Sequence, residues 1–271
     1  MLGQLEVVYV ATPKAACSSL KWVIADIGGE DLATFRPVDD PRATAGGSIH
    51  ARGRWRRVPR LHDLSDHELA GIGADAGWHV FAVVRHPATR LWSAWQQKVL
   101  LCAPGRTQKV PEHRLPPPPR TTTDLVEAFR GFVAEFAAGE FPELDDDLHF
   151  QSQHHLLAPD RMPYTRIYTT GELEQAMRDL DDHVRAHGGD ALPPLPSSNE
   201  TPLHPLRSLF TSETLATIQQ VYGDDFREWF PDVDATPQVP KGDYPPALLA
   251  KVGQRMEENA RARAAGAPAA G

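Results

Sequence analysis

Hydrophobic positions along the chain gather into two short apolar runs, and these and a third, mixed strand-like run are each followed by apolar residues recurring every three or four positions. The first run, Leu5-Glu6-Val7-Val8-Tyr9-Val10, is largely β-branched and reads as a buried strand. Leu20, Val23, Ile24 and Ile27 then fall at helical spacing, and Gly28-Gly29 offer a stop. The second run, Trp78 to Val84, leads into Pro87, which suits a first helical turn, and then a stripe of Leu91, Trp95 and Val99. The third, Arg166 to Thr170, precedes Leu173, Ala176, Met177, Leu180 and Val184, closed by Gly188-Gly189. Three strand–helix units in succession predict an α/β fold: three layers, with a central parallel sheet and helices on both faces.

Other segments add helices. Ser65 with Glu68 three residues on predicts a capped short helix. Asp124 with Glu127 opens another, with Leu125, Phe129, Phe132, Val133 and Phe136 facing a core. Residues 212–230 read as one helix packed by Leu215, Ile218, Tyr222, Phe226 and Trp229. Between Leu100 and Thr123, Pro104-Gly105, Pro111 and Pro116 to Pro119 predict an extended, flexible segment, either a lid or a spacer. From Asn259 the Ala-, Gly- and Arg-rich composition predicts a frayed tail.

Composition narrows the class. The 271 residues suit one sizeable domain, placed over 1–258 with the tail at 259–271. A net charge of −8 excludes a general nucleic-acid binder, which would carry a basic surface. Two cysteines, Cys17 and Cys102, form neither a disulfide framework nor a metal-ligand spacing. No apolar run is long enough to span a membrane, and Met1 leads directly into the first strand without a signal peptide. The expectation is a soluble cytoplasmic protein. Its Ala, Arg, Pro and Gly richness suits a bacterial source.

The chemistry concentrates at the strand ends. Thr12-Pro13-Lys14-Ala15-Ala16-Cys17-Ser18-Ser19-Leu20 joins the first strand to the first helix. Ser18 or Ser19 can cap that helix, where free N–H groups and the dipole favour an anion, and Lys14 adds a positive charge. The loop lacks the glycines of the nucleotide-triphosphate loop, and Lys14 precedes the helix. Alone, it reads equally as an ordinary strand–helix turn. The second strand ends in Arg85-His86-Pro87, with Ser93 two turns along the following helix. A guanidinium and a hydroxyl so spaced can converge on one phosphate.

With both stretches in view, the chain resembles the sulfotransferases. Pro13-Lys14-Ala15-Ala16-Cys17-Ser18-Ser19-Leu20 resembles their 5′-phosphosulfate loop, and Val84-Arg85-His86-Pro87 through Arg90-Leu91-Trp92-Ser93-Ala94 their 3′-phosphate motif. Asp147-Leu148-His149-Phe150-Gln151-Ser152-Gln153 is similar to the D-x-H-x-x-x-Q stretch of the carbohydrate and Golgi-type members. Gly171 to Met177, Pro196 to Thr201 and Val221 to Phe226 extend the likeness to about Trp229. It departs at His86, where Asp is more usual, and at Ala15-Ala16, where some members carry Thr-Gly.

The resemblance implies a P-loop-like nucleotide-binding fold and transfer of a sulfuryl group from 3′-phosphoadenosine 5′-phosphosulfate (PAPS) to a hydroxyl by in-line displacement. No metal is implied. Pro13, Lys14, Ala16, Cys17, Ser18, Ser19 and Leu20 would hold the 5′ end, Arg85 and Ser93 the 3′-phosphate, and Ser198, Asn199 and Thr201 would close over the nucleotide. Lys14 would be catalytic. His62 is the favoured base, because a histidine base sits in a similar interval in the glycosaminoglycan 2-O-sulfotransferases; His50, His149 or a carboxylate are the alternatives.

The acceptor would be a small molecule or carbohydrate. Its wall would include His50, Arg54 and Trp55, from the basic cluster Arg52-Gly53-Arg54-Trp55-Arg56-Arg57, and His149; that cluster reads equally as a solvated loop. His149 and Gln153 are expected to share a helix face, and Asp145-Asp146-Asp147 to form a solvated turn. The competing readings are a kinase-like phosphoryl transferase, which would want a glycine loop and a metal-holding Asp, and a non-catalytic nucleotide binder.

Overall fold

The computed structural model describes residues 1–36, 48–103, 109–196, 201–231 and 236–265. In chain order these form β1 (Val7–Val10), α1 (Cys17–Ile27), α2 (Asp66–Ala70), β2 (His79–Val84), α3 (Pro87–Trp95), α4 (Thr122–Ala137), α5 (Gln153–Leu157), β3 (Arg166–Thr169), α6 (Leu173–Ala186), α7 (Ser212–Val221), α8 (Gly223–Trp229) and α9 (Pro246–Ala264). The stretch read as one domain is built from two compact units whose segments interleave. One comprises 1–85 and 153–199, the other 86–152 and 200–270.

The first unit carries the sheet. Its strands are parallel in the order β1-β2-β3, with Val7 opposite His79 and Phe81 opposite Arg166. All six residues of the central β2 are buried, which is why its apolar run is unbroken rather than alternating. Successive side chains leave opposite faces of a strand. Val7, Phe81, Val83 and Tyr168 accordingly pack with Leu20, Val23 and Ile24 of α1 and with Ala176, Leu180 and Val184 of α6. Val8 and Val80 pack instead with Ile72, Leu61, Leu64, Met162 and Tyr164.

Strand β1 starts at Val7, not Leu5, because Glu6 adopts φ 50° after a 3-10 turn over Gly3–Leu5. Helix α1 ends as expected, with the Gly28 N–H bonding the Ile24 carbonyl. Helix α2 is held by the Ser65–Glu68 capping box.

The second unit is helical and centred on rings. Trp92 stacks on Trp95 at 5.2 Å and meets Phe129 edge-on at 5.0 Å. Phe129 and Phe132 of the α4 stripe are core residues, as their spacing predicts. Helix α4 begins two residues ahead of Asp124, because Thr121 caps it and Asp124 is the reciprocal partner. The helix expected over 212–230 breaks at Tyr222, whose hydroxyl reaches the Phe150 carbonyl at 2.7 Å. Gly223, a poor helix former, follows the break.

One further expectation is corrected. Residues 259–264 are not a frayed tail but the last turns of α9, where Asn259 Nδ2 donates to the Leu101 carbonyl at 2.7 Å and Arg263 to that of Cys102. Within the Pro-rich segment, 104–108 lie outside the described residues, while Val110 and Pro119 are buried. Among the described residues no helix is long and apolar enough to cross a membrane.

Candidate active site

The loop from Thr12 to Ala16 leaves the C-terminal end of β1 and turns sharply into α1. The Ala15 N–H bonds the Thr12 carbonyl at 3.3 Å, and Lys14 and Ala16 take left-handed φ values of 68° and 58°. Neither is glycine, so each position is strained by about 1 kcal/mol or more. Ala16 is the N-cap of α1 and brings no side-chain cap. The expectation that Ser18 or Ser19 caps the helix is thereby corrected: both lie within its first turn, after Cys17. First-turn N–H groups have no intrahelical acceptor, and they carry the positive end of the helix dipole. At the base of the loop Thr12 is fully buried, yet its Oγ1 makes no hydrogen bond.

Basic side chains surround this turn. His50 places Nε2 at 2.9 Å from Ser18 Oγ and Nδ1 at 3.0 Å from Lys21 Nζ. Burial pulls the Lys21 ammonium below its ordinary value; Cys17 opposes that shift and Arg52 reinforces it. The Ile49 side chain is buried with Trp22, Ala25 and Phe35, and its carbonyl accepts the Trp55 indole N–H at 3.0 Å. Trp55 meets Phe35 edge-on at 5.3 Å, and Arg54 Nη1 donates to the Thr34 carbonyl at 2.8 Å. Of the residues expected to line an acceptor wall, Trp55 thus holds the backbone beside His50, and Arg54 binds the turn that carries Thr34.

Arg85 follows β2, and its Nη1 donates to the Lys14 carbonyl at 3.3 Å. Its backbone is clamped from both sides by Gln153. The Arg85 N–H donates to Gln153 Oε1 at 2.8 Å, and Gln153 Nε2 donates to the Arg85 carbonyl at 2.8 Å. Gln153 is completely buried and opens α5. The sequence offered Gln153 only as the last letter of D-x-H-x-x-x-Q. That spacing was its one signal, and the expected pairing with His149 on a helix face is corrected, since His149 precedes α5.

Residues 1–229 match the family model described as Sulfotransferase family. The chain belongs to the sulfotransferase family. Comparison with curated proteins gives no match. Family membership makes the protein a transferase of sulfuryl groups, with its Lys14 loop and Arg85 in the two stretches that carry the resemblance.

The remaining family-type residues of this sulfotransferase fall in several places. His86 takes over the N-capping role that Asp would fill: its Nδ1 accepts the Ala88 N–H at 3.3 Å, and its ring meets Phe226 edge-on. Arg90, within the second motif, is 2% exposed and donates to the carbonyls of Gln151 at 2.8 Å and Leu148 at 3.0 Å. It therefore shapes the turn that carries His149. In that turn His149 Nδ1 lies 2.7 Å from Asp147 Oδ1. Asp147 is buried, not part of a solvated turn. Burial would raise its carboxyl pKa, but the His149 side-chain and backbone hydrogen bonds outweigh it and hold the group well below the carboxylate range.

Ser93 is buried on α3, Leu20 belongs to the sheet core, and Pro13 and Cys17 are half-buried, Cys17 as a free thiol. Ser198 and Asn199 lie outside the described residues; Thr201 is half-buried, two residues before Leu203, whose backbone Gln96 binds. His62 sits on the exposed turn Leu61–Asp63, its Nε2 3.4 Å from Asp63 Oδ1. Leu61 of that turn packs with Val8 and Val80 of the sheet.

Proposed function

We propose that this transferase takes its sulfuryl group from PAPS and delivers it to a hydroxyl of a small molecule or carbohydrate. The observation that carries the reading is the contact between Arg85 and the Lys14 carbonyl, which joins two basic motifs 71 residues apart. The residues present fit a polyanionic nucleotide. On a chain of net charge −8, Lys14, Lys21, Arg52 and Arg85 gather around one helix N-terminus without a side-chain cap. The partnerless hydroxyl of Thr12 at the base of the loop is the kind of buried group that a ligand or water satisfies.

When bound, PAPS supplies an activated sulfuryl group on a phosphate leaving group. The first-turn N–H groups and the Ser18 and Ser19 hydroxyls hold its 5′ end. Lys14 keeps a positive charge beside the oxygen on which negative charge grows. Arg85 takes the 3′-phosphate through paired, charge-assisted bonds and so separates PAPS from ATP. The proton acceptor is assigned to His62 on the family resemblance. Its exposed turn makes His62→Ala the direct test, because retained turnover removes the assignment.

Thermal unfolding with 3′-phosphoadenosine 5′-phosphate (PAP), beside 5′-ADP and ATP with Mg²⁺, tests the donor. A ligand at about 100 times its Kd stabilises by about 2.7 kcal/mol. A shift confined to the 3′-phosphorylated nucleotide supports PAPS. A shift with ATP and Mg²⁺ alone overturns it in favour of phosphoryl transfer.

A further inference from the structure

Lys21, His50 and Ser18, beside the Lys14 loop, are joined by a chain of hydrogen bonds whose role the reading above leaves open. Lys21 Nζ lies 3.0 Å from His50 Nδ1, and His50 Nε2 lies 2.9 Å from Ser18 Oγ. The direction of this chain follows from what each group can do. An ammonium donates and never accepts. Lys21 therefore donates to Nδ1, and Nδ1 must carry a lone pair. A neutral imidazole has one N–H, so the proton sits on Nε2 and is donated to Ser18 Oγ. With its oxygen accepting from His50, Ser18 directs its own proton elsewhere. Ser18 lies in the first turn of α1, where the backbone N–H groups also point toward an anion.

From this we infer that Lys21 and His50 are positioning residues that lock the Ser18 hydroxyl as a hydrogen-bond donor to the 5′-phosphate end of the nucleotide. The inference rests on the donor-site reading given above and deepens it. It also separates His50 from the acceptor side: an imidazole whose Nδ1 receives Lys21 and whose Nε2 is protonated has no lone pair with which to take a proton from a hydroxyl. The His50 backbone is set in advance, because the neighbouring Ile49 is fully buried and its carbonyl is bound by Trp55. Lys21 is held by α1 itself, one turn beyond Ser18.

The test is calorimetric binding of two nucleotides to the full chain: PAP, and adenosine 3′-phosphate, which lacks the 5′-phosphate. His50→Ala is expected to weaken PAP by about tenfold and adenosine 3′-phosphate by less than about twofold. His50→Gln, whose amide N–H can replace Nε2–H, is expected to return PAP affinity to within about threefold of the wild type. In a Ser18→Ala background, His50→Ala is expected to cost nothing further, since the two act as one unit. Equal weakening of both nucleotides, or additive losses in the double variant, overturns the inference. So does unchanged PAP affinity with lost sulfuryl transfer, which would place His50 at the acceptor. Wild-type protein that binds neither nucleotide removes the donor-site reading and the relay with it, whereas wild-type PAP binding with an indifferent His50→Ala removes the relay alone.

Discussion

In the sheet-bearing unit, amides and carboxylates fix the backbone at chosen points. Gln153 takes both the N–H and the carbonyl of Arg85, and Glu30, buried, gathers the N–H groups of Arg56, Arg57 and Val58. The helical unit has such clamps too, with Gln96 on the Leu203 backbone and Arg90 on the carbonyls of Gln151 and Leu148, but its centre is a set of rings, with Trp92, Trp95, Phe129 and Phe132 interlocked at centroid distances of 5.0–6.4 Å. The two devices do different work. Apolar rings contribute most of the free energy per residue but tolerate small shifts in direction. A hydrogen bond contributes about 1 kcal/mol net yet places an atom to within a few tenths of an ångström. In the unit that carries Lys14 and Arg85, such a clamp falls on Arg85 itself.

Substitutions can break this contrast. Phe129→Ala, in the ring cluster, is expected to cost about 3–5 kcal/mol of stability by denaturant unfolding, and a loss under about 1 kcal/mol would remove the cluster as the anchor of its unit. Lys14→Ala is expected to do the reverse, leaving the unfolding midpoint nearly unchanged while turnover falls about 10²–10³-fold and PAP affinity far less. Equal losses in turnover and affinity would make Lys14 a binding group only. Gln153→Ala is expected to cost about 2–3 kcal/mol and to weaken PAP, because two buried backbone groups of Arg85 lose their partner. Stability lost with PAP affinity intact would uncouple the clamp from the site.

The smallest effect is a pH dependence in the sheet unit. His79 opens β2 and is 7% exposed. Burial and the neighbouring His183 pull its pKa down from 6.5 to about 4, against the attraction of Asp179. The folded ring stays neutral where the unfolded one is charged, so unfolding takes up a proton between those values. Stability is fully present above about pH 6.5 and falls as the pH drops toward 4, by ~2 kcal/mol after allowing for partial solvation. His79→Gln is expected to flatten that slope in unfolding curves taken from pH 7 to 4.

Legibility followed the range of the interactions. Strands β1 and β2, the stop of α1 at Gly28, the capping box of α2 and the Phe stripe of α4 are written in residues a few positions apart, and periodicity found them. The break at Tyr222 was hidden because a hydroxyl bonded to the Phe150 carbonyl decides it. The extension of α9 past Asn259 was hidden for the same reason, since its contacts are the carbonyls of Leu101 and Cys102, while its Ala and Arg content resembles a tail. The two motifs singled out Lys14 and Arg85, and the structure brings the Arg85 guanidinium to the Lys14 carbonyl. His50, placed second to His62 as a base, bonds Ser18 and Lys21 of α1, and that placement depends on Ile49 and Trp55 rather than on distance along the chain. The orienting of His149 by Asp147 lay in the D-x-H spacing but was masked by the two preceding aspartates.

Lys14 and Ala16, left-handed without being glycines, have a kinetic consequence. A strained loop persists only where its surroundings already determine its shape, so this one does not wait for a ligand to choose among conformers. Nucleotide arrival should then be a single-step encounter, its observed rate rising linearly with nucleotide concentration and steered by the basic groups around the loop, with no plateau set by a slow rearrangement.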